Sequence, residues 1–396
     1  MSKNALASSL SPGERLLIAQ SFKTVPMQLV KDCLVATRNN DKRERALSKR
    51  DMAFFVIAMA LFSDSSQQDV FRHLEEGKRL LFGQDVEIKI PVKSSLVEAR
   101  QRLGYPSMQE LFKRAVQPIA SPGQTPGAFF KGLRLVAIDG VLFDAPDTTV
   151  NSDHFGRSKS QYGKGAYPQV RTVALAECGT RVLLDYELSD ETCRSEQALG
   201  AKLLARTKPG QLILADRLYC DGKLWRTVTD TGAHAIFRVK ADTELPVERK
   251  LPDGSYMSVL TEGARTKSDS KQHPVRVIQF RLTTGKTKID YRLITTLKPE
   301  DATPTEVAEL YAERWKFETL AGEIKAVLNR RSDVLRSQTP ELVKQELVGI
   351  FLAHYIVRSL MHEAAIVGDV EVERLSFKHS LSVVKRKVCQ AGSFSP

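Results

Sequence analysis

Two apolar runs that each end in an aspartate constrain the fold more than any other feature of this sequence. The run "LRLVAI" precedes Asp139, and the run "QLILA" precedes Asp216. Short apolar runs that are rich in strand formers and bounded by turn residues predict buried β-strands. Sites in α/β proteins are commonly built at the C-terminal ends of strands. Both aspartates are therefore candidate functional residues, although Asp also occurs at strand ends because it suits turns.

The segments around these runs predict an α/β domain. The strand-like segments "LRLVAIDG", "VRTVALAE" and "TRVLLDYEL" are followed by alternating helices and strands up to about residue 241. From Asp242 to Leu297, alternating segments and the turns "PDG" and "TTGK" predict a β-rich insertion. Long helices are predicted from Pro304 to about Asn329 and from Pro340 to about Ala365. The α/β domain is accordingly expected to occupy residues 128–241 and 298–370.

The remaining segments predict a helical N-terminal domain and a loose tail. With 396 residues, the chain is long enough for two or three domains. Residues 1–120 carry helical patterns, among them "SKRDMAFFVIAMALFSD", which predicts a buried helix; they end at the linker-like "ASPGQTPG". The bases of "KRERALSKR" form either a functional basic stripe or a solvated loop face. Residues 371–396 are expected to be a loose basic tail.

Charge and cysteine content restrict the partners and the compartment. Lys and Arg number 59 against 47 acids, a net charge of +12, which fits a nucleic-acid partner but also an ordinary basic enzyme. The five cysteines are scattered without CxxC spacing or a zinc pattern, which favours a reduced cytoplasmic compartment. The N-terminus lacks the layout of a signal peptide, and apolar runs such as "AFFVIAMALF" are too short to span a bilayer. A soluble protein with no membrane partner is predicted.

A third acid comes from one face of a predicted helix. The motif "TPTE" at 303–306 is a capping box with proline at the first helical position, so a helix should begin near Pro304. At about 100° per residue, four side chains fall within an arc of roughly 60°: Tyr311, Arg314, Glu318 and Lys325. Glu313 and Glu323 point away from this arc. A string of helical ion pairs is the alternative, but the face pairs few opposite charges at i,i+4.

Three carboxylates from two strands and a helix suit two divalent metal ions, Mg²⁺ or Mn²⁺. In such a pair, one ion activates a water or a 3′-hydroxyl and the other stabilises the leaving oxygen of a phosphodiester. The sequence holds no P-loop, no GxGxxG after a strand and no nucleophile elbow, which argues against NTP hydrolysis, dinucleotide redox and serine hydrolysis. Asp144, Asp147 and Asp153 compete with Asp139 but lie in a polar loop.

These motifs together resemble a known family. The pattern Y-x2-R-x3-E-x6-K, met by Tyr311, Arg314, Glu318 and Lys325, resembles the signature of the insertion-sequence-four family of bacterial DDE transposases. "AIDG" and "LADRLY" are similar to that family's first and second aspartate regions, in the same order. "FFVIAMALFSDSSQQDVFRHL" looks like the helical domain that precedes the catalytic domain in one branch. The resemblance covers roughly residues 10–370.

The resemblance implies an RNase H-like catalytic domain with a β-strand insertion between the second Asp and the Glu. Asp139, Asp216 and Glu318 would be catalytic and would hold the two metal ions. Four further residues would contact DNA: Tyr311, Arg314, Lys325 and Arg217. Cut-and-paste transposition is implied: a homodimer binds the terminal inverted repeats of its element through the N-terminal domain and catalytic domain. It then nicks the DNA, forms and reopens a hairpin, and joins the 3′-ends to target DNA.

Some features depart from the family pattern. Leu218 stands where the family often has a small residue. Trp225 and Trp315 lie outside the β insertion, so a base flipped during hairpin formation would stack on another aromatic; candidates are Phe237, Tyr256, Phe280 and Tyr291. The basic loop "GRSKSQYGKGAYPQVR" either follows a DNA backbone or forms a solvated hairpin.

Two other functions compete with transposition. One is a non-catalytic DNA-binding protein derived from a transposase. The other is an RNase H-like nuclease without strand transfer.

Overall fold

The computed structural model describes residues 19–43, 45–82, 88–160, 163–263, 271–284, 287–328 and 334–386. The chain forms two compact units, each assembled from separate segments. One comprises Met1–Ile119, Phe143–Gln169 and Gly322–Pro396, and the other Ala120–Leu142 and Val170–Ala321. This division differs from the predicted one, in which residues 298–370 accompany the sheet. The chain from Gly322 onward belongs with the N-terminal helices.

The second unit is built on a mixed β-sheet. The strands of the chain are β1 Phe129–Phe130, β2 Leu133–Asp144, β3 Lys159–Ser160, β4 Gly163–Lys164, β5 Gln169–Glu177, β6 Val182–Leu188, β7 Gln211–Ala215, β8 His234–Arg238, β9 Arg249–Lys250, β10 Tyr256–Glu262, β11 Lys271–Thr284 and β12 Thr287–Thr295. The sheet runs in the order β6-β5-β2-β7-β8-β12-β11-β10-β9, with β1 beside β2. Strand β7 pairs in parallel with both β2 and β8. The predicted α/β class is confirmed.

The predicted β-rich insertion forms strands β9 to β12, and these strands extend the main sheet. Strand β12 pairs antiparallel with β8, for example Ile294 with Phe237. Strands β11, β10 and β9 follow outward, each antiparallel to its neighbour. The insertion therefore shares its backbone hydrogen bonds with the strands of the flanking α/β segments.

The core of this unit lies between the sheet and two short helices. Strand β7 is buried along Leu212–Ala215, as a continuous apolar run predicts for a strand covered on both faces. The helices Glu196–Leu204 and Gly222–Thr229 begin at the caps Ser195 and Asp221, whose side chains accept hydrogen bonds from backbone N–H groups of the first turn. Their apolar faces join the same buried cluster as the strands.

The helical unit is organised around the helix Pro340–Val367. The other helices of eight or more residues described in this unit are Met27–Ala36, Lys49–Leu61, Gln67–Phe82, Lys93–Ala115 and Phe377–Arg386. The central helix packs against Lys49–Leu61, whose residues from Met52 to Leu61 are all buried, and this confirms the predicted buried helix. Gly349 allows this close packing, because a Cβ there would lie 2.6 Å from the carbonyl oxygen of Val56.

By length and composition alone, Pro340–Val367 is long and apolar enough to cross a membrane. The sequence prediction that every apolar run is too short overlooked it because His354 and Arg358 interrupt the run. Within the protein, 72% of its most apolar window is buried. The helix therefore serves as the core of the helical unit.

Two further segments differ in detail from their predictions. The helix Lys93–Ala115 contains a kink at Gly104, where φ is 68°, two residues before Pro106. The sequence segments "SSLVEARQRLG" and "SMQELFKRAVQPIA" on either side both carry helical patterns, and the kink marks their junction. The helix Phe377–Arg386 includes the beginning of the segment that is predicted to be a loose basic tail. The rest of that tail lies outside the described residues.

A buried ionic cluster ties the turn after Gly322 to the central helix. Glu323 accepts hydrogen bonds from Arg358 Nε at 3.0 Å and pairs with His354 Nε2 at 3.1 Å. The ring of Phe377 stacks on His354 and lies 5.4 Å from the Arg358 guanidinium. Burial alone would raise the pKa of Glu323, but His354 and Arg358 hold that pKa below its ordinary value. The carboxylate thus stays charged in the interior.

We expect Arg358→Ala to lower the free energy of unfolding by about 3–5 kcal/mol, because it leaves a buried carboxylate without its main partner. The control is Arg72→Ala, which breaks the ion pair between Arg72 and Asp69. Both of these side chains are 45% exposed. That change should cost less than about 1 kcal/mol. Urea denaturation of both variants measures the difference. Equal losses in the two variants would contradict a stabilising role for the buried cluster.

Candidate active site

The stretch that carries the predicted third acid is a broken helix. It begins with the predicted capping box, in which Glu306 N–H donates to Thr303 Oγ1 and Thr303 N–H donates to Glu306 Oε2. The α-helix Pro304–Ala312 then passes into a 3₁₀ turn, Glu313–Trp315, the α-helix Lys316–Gly322 and a π-helical turn, Glu323–Leu328. The prediction of one continuous α-helix is wrong beyond Ala312. A rotation of 100° per residue therefore does not place the side chains of this stretch.

The two predicted aspartates lie side by side, although Asp139 does not end its strand: β2 continues to Asp144, whereas β7 ends at Ala215, directly before Asp216. In the parallel pair β2–β7, Ile138 is in register with Ala215, and Asp139 and Asp216 are the next residues of the two strands. Neighbouring strands are about 4.8 Å apart. Asp139 Oδ1 accepts a hydrogen bond from Gly140 N–H at 2.8 Å, and Asp216 Oδ1 accepts one from Leu218 N–H at 2.5 Å. Local backbone donors thus orient both carboxylates.

Arg314 connects the third acid to the first. Its Nη1 lies 2.7 Å from Asp139 Oδ2, and its Nη2 lies 3.7 Å from Glu318 Oε1. The side chain of Arg314 is only 7% exposed, whereas that of Glu318 is 51% exposed. The guanidinium therefore lies close to both Asp139 and Glu318, and the charge of Asp216 also acts on it. Arg314, predicted as a DNA contact, holds two of the predicted acids.

The aromatic neighbours of Arg314 differ in exposure. The guanidinium lies 5.9 Å from the ring of Tyr311 and 5.4 Å from that of Trp315. Tyr311 is 4% exposed and Trp315 is 55% exposed. Burial raises the pKa of Tyr311, and the nearby Arg314 charge opposes that rise. In this structure, Tyr311 supports Arg314 from the interior.

The electrostatics of the site disfavour the charged form of Asp139. Burial raises its pKa to about 6, and the neighbouring charges of Asp216 and Glu196 add to the rise. The Gly140 N–H and the Arg314 guanidinium act in the opposite direction without cancelling it. The carboxyl group of Asp139 therefore favours its neutral form more than a solvent-exposed aspartate does.

Glu196 is a member of this acidic group that the sequence analysis missed. It lies in the first turn of the helix Glu196–Leu204, and its carboxylate pairs with Arg171. Tyr219 donates its hydroxyl hydrogen to Glu196 Oε1 at 3.2 Å. The tyrosine belongs to the "DRLY" motif, but nothing in the sequence connects that motif with position 196.

The other predicted DNA contacts lie at the surface. Arg217 is exposed in the turn directly after Asp216. Lys325 is exposed in the π-helical turn, with Nζ 5.9 Å from the ring of Phe143 in the helical unit. Leu218, the departure from the family pattern, contributes only its backbone N–H to the site.

The competing aspartates fall in the helical unit, and the prediction that all three lie in a polar loop is wrong for Asp144, which is the last residue of β2. Asp144 accepts a hydrogen bond from Gln169, and Asp147 pairs with Arg157. Asp153 lies in the short helix Thr149–Phe155. The position of Asp139 beside Asp216 is what separates it from these residues.

The basic loop forms the small hairpin β3–β4, apart from residues 161–162, which lie outside the described residues. Arg157 donates to the carbonyl of Gly165, and Arg171 pairs with Glu196. Lys164 is exposed. Two of the loop's arginines are thus engaged within the protein, which favours the hairpin alternative.

The aromatic candidates for base stacking fall into two groups. Phe237 is fully buried and packs edge-on against Trp225. Phe280 and Tyr291 form a stacked pair on β11 and β12, with ring centroids 5.3 Å apart, and Arg238 lies 4.3 Å from the Tyr291 ring. Tyr256 is half-buried. Burial leaves Phe237 inaccessible, while the Phe280–Tyr291 pair is partly exposed.

Comparison with known families identifies the family to which the chain belongs. Residues 131–356, more than half of the chain, match the family described as the transposase DDE domain, and residues 18–113 match the insertion element 4 transposase N-terminal domain. This chain is a DDE transposase of the insertion-sequence-four family. The transposase thus has the RNase H-like α/β fold of that family.

Two proteins of Escherichia coli strain K12 are similar to the transposase. The transposase InsG for insertion sequence element IS4 is 28% identical over 373 residues, which cover 93% of this chain and 82% of that protein. The putative transposase InsZ is 27% identical over 218 residues, which cover 54% of this chain and 69% of that protein. The first similarity spans both the helical and the sheet segments.

The donor set of the transposase fits a divalent cation. Among the residues that the structure describes, no group of three or more His, Cys, Asp or Glu side chains is placed to hold a metal ion as the side chains stand. Arg314 lies between Asp139 and Glu318 instead. The carboxylate oxygens of Asp139, Asp216 and Glu318 are hard ligands of the kind that suit Mg²⁺ or Mn²⁺.

The raised pKa of Asp139 predicts a pH-dependent loss of stability. Its carboxyl group binds a proton more tightly in the folded chain, with a pKa of about 6, than at its ordinary value of 3.8. Its contribution to the free energy of unfolding therefore falls as pH rises from about 4 to about 6 and stays low above that. Asp139→Asn removes this titration and should raise stability at pH 7.5 by roughly 1–3 kcal/mol. Denaturation of both proteins at pH 4 to 8, without metal, measures the difference; profiles that stay parallel across this range would contradict the assignment.

Proposed function

We propose that this transposase binds the terminal inverted repeats of an insertion sequence and catalyses metal-dependent DNA cleavage and strand transfer. The observation that carries the proposal is the grouping of Asp139, Asp216 and Glu318. Two of these acids follow register-matched residues of parallel strands, and the third shares the Arg314 guanidinium with Asp139. Asp139 and Asp216 are 77 positions apart in the sequence, and Asp216 and Glu318 are 102 positions apart, so only the fold can bring them together. Such a grouping supports a catalytic role better than three separate structural acids.

Asp139, Asp216 and Glu318 would hold two Mg²⁺ or Mn²⁺ ions. Such ions, when bound, activate a water or 3′-hydroxyl nucleophile and stabilise the leaving oxygen of a phosphodiester. The protein's own contribution is to fix the carboxylates before the substrate arrives. Backbone N–H groups of Gly140 and Leu218 orient the two aspartates, so little rearrangement of these side chains is needed.

When DNA binds, Arg314 would leave the carboxylates of Asp139 and Glu318 and bind a DNA phosphate instead. A guanidinium binds both groups through paired N–H donors. In the structure it neutralises Asp139 and Glu318. A DNA phosphate at the site offers the same kind of partner, and Tyr311 keeps the guanidinium aimed from the interior. Arg217 and Lys325, both exposed, would contact neighbouring phosphates as point charges.

Cut-and-paste transposition through a DNA hairpin is the pathway we propose. Hairpin formation benefits from an aromatic group that stacks on a flipped base. The partly exposed Phe280–Tyr291 pair is the best-placed candidate on the β insertion, with Arg238 against one of its rings. The transposase would act on both element ends as a homodimer, with the N-terminal helices contributing to end binding. Its net charge of +12 supports binding to double-stranded DNA, and we place it in the cytoplasm with the nucleoid.

We expect Asp139→Asn, Asp216→Asn and Glu318→Gln each to lower the rate of Mg²⁺-dependent cleavage of terminal-repeat DNA by about 10³-fold, because each removes a metal-binding charge. The matched control is Glu309→Gln, which changes an exposed acid on the same stretch and should cleave like the native protein. Gel-shift assays should show end binding retained in all four variants.

The products separate the alternative functions. Joined donor–target molecules are expected for a transposase, whereas cleavage without joining identifies a nuclease. End binding without any metal-dependent nicking identifies a non-catalytic DNA-binding protein. Full cleavage by any one of the three acid variants would refute the site assignment.

A further inference from the structure

The carboxylate of Glu196 lies beside the proposed metal ligands, although the mechanism above gives it no task. Its side chain is 16% exposed, and both of its oxygens have partners. Oε1 accepts the hydroxyl hydrogen of Tyr219, and Oε2 pairs with Arg171 of strand β5. Removing a charged, largely buried group from water is costly unless its partners compensate. Its presence at this position therefore calls for a function.

On one side, Glu196 contacts the residue that follows Asp139. A Cβ at Gly140 would lie 2.6 Å from the carboxyl carbon and from Oε1 of Glu196. Gly140 does not adopt a left-handed φ, so its backbone conformation is open to other residues. The absence of a side chain at position 140 is needed because the Glu196 carboxylate occupies that space.

On the other side, Glu196 reaches the turn that follows Asp216. Tyr219 is fully buried, and its backbone N–H donates to the carbonyl of Asp216 at 3.1 Å. Its ring packs closely on Gly200, where a Cβ would lie 2.6 Å from a ring carbon. The hydroxyl is thereby directed at Glu196. One carboxylate thus braces the backbone after Asp139 and Asp216.

We propose that Glu196 is a positioning residue, which holds Asp139 and Asp216 at the separation that a shared divalent cation requires. It acts through Gly140 and Tyr219, and its own oxygens remain engaged with Tyr219 and Arg171. Groups that orient metal ligands typically account for 10–100-fold in metal affinity. This inference rests on the proposed role of the two aspartates as metal ligands.

Mn²⁺ binding to the full-length protein without DNA tests the proposal, with free Mn²⁺ measured by electron paramagnetic resonance. We expect Glu196→Ala to weaken Mn²⁺ binding about 10–100-fold. Glu196→Gln keeps the shape and an acceptor for Tyr219, so its affinity should stay within about threefold of native. Tyr219→Phe, which removes one hydrogen bond, should weaken binding about tenfold or less. The matched control is Glu187→Ala, which breaks an ion pair with Arg206 at the edge strand β6 and should leave binding unchanged.

A double-mutant cycle isolates the contact with Gly140. Gly140→Ala should weaken Mn²⁺ binding in the native background, because the added methyl group displaces the Glu196 carboxylate. In the Glu196→Ala background the same change should have little further effect, since the clash no longer exists. Gly127→Ala is the control, because a Cβ there meets nothing within 4 Å among the described residues.

The outcomes distinguish this inference from the proposed function. If Asp139→Asn leaves Mn²⁺ affinity unchanged, the metal site itself is misassigned. If Asp139→Asn weakens binding but Glu196→Ala does not, only the role of Glu196 is refuted. Equal losses of Mn²⁺ affinity in Glu196→Gln and Glu196→Ala would also refute positioning through Gly140. Additive effects of Gly140→Ala and Glu196→Ala in the double-mutant cycle would refute it as well. If Glu196→Ala does not fold, the Tyr219→Phe and Gly140→Ala measurements decide.

Discussion

The guanidinium of Arg314 is the charge on which the arrangement of the acidic site depends. It lies 2.7 Å from a carboxylate oxygen of Asp139 and 3.7 Å from one of Glu318, and it is almost completely buried. Acids that share a site repel one another, and burial adds a desolvation cost. A planar cation with several fixed donors can meet two carboxylates at once, whereas a lysine ammonium is a single point charge. Arg314 therefore links the acid of strand β2 to the acid of the helical stretch.

The site is electrostatically unfavourable even with this arginine. Asp139 keeps a pKa of about 6 because burial, Asp216 and Glu196 together outweigh Arg314 and the Gly140 N–H. Sites that function in catalysis commonly keep such disfavoured groups at the expense of stability. The contacts that hold these acids in place are consistent with this cost in folding stability. Backbone donors orient Asp139 and Asp216, and Glu196 fills the space between their following residues.

Local sequence signals predicted most of the fold and the three acids, because each depends on near neighbours in the chain. Apolar runs predicted β7, which ends directly before Asp216, and β2, which in fact continues five residues beyond Asp139, and a capping box predicted the helix start at Pro304. Glu196 escaped prediction because its link to Gly140 spans 56 residues and depends on packing. The grouping of Pro340–Val367 with the N-terminal helices was missed for a similar reason, since a helix that is buried on every side carries no stripe that identifies its partners.

The broken helix explains why Arg314 still lies near Tyr311 and Glu318, although the stretch is not the single α-helix that the sequence predicted. Tyr311 lies in the last turn of the α-helix Pro304–Ala312 and Arg314 in the 3₁₀ turn that follows, and their three-residue separation is close to one turn of either helix type. Arg314, in the 3₁₀ turn, and Glu318, in the α-helix Lys316–Gly322, are four residues apart, the separation at which helical neighbours meet. The spacing of the three residues therefore matches the local helix type at each step. Lys325 lies within a π-helical turn, in which hydrogen bonds skip one more residue than in an α-helix. Its seven-residue separation from Glu318 thus no longer corresponds to two α-helical turns, so its role at the DNA has to be established by its own position.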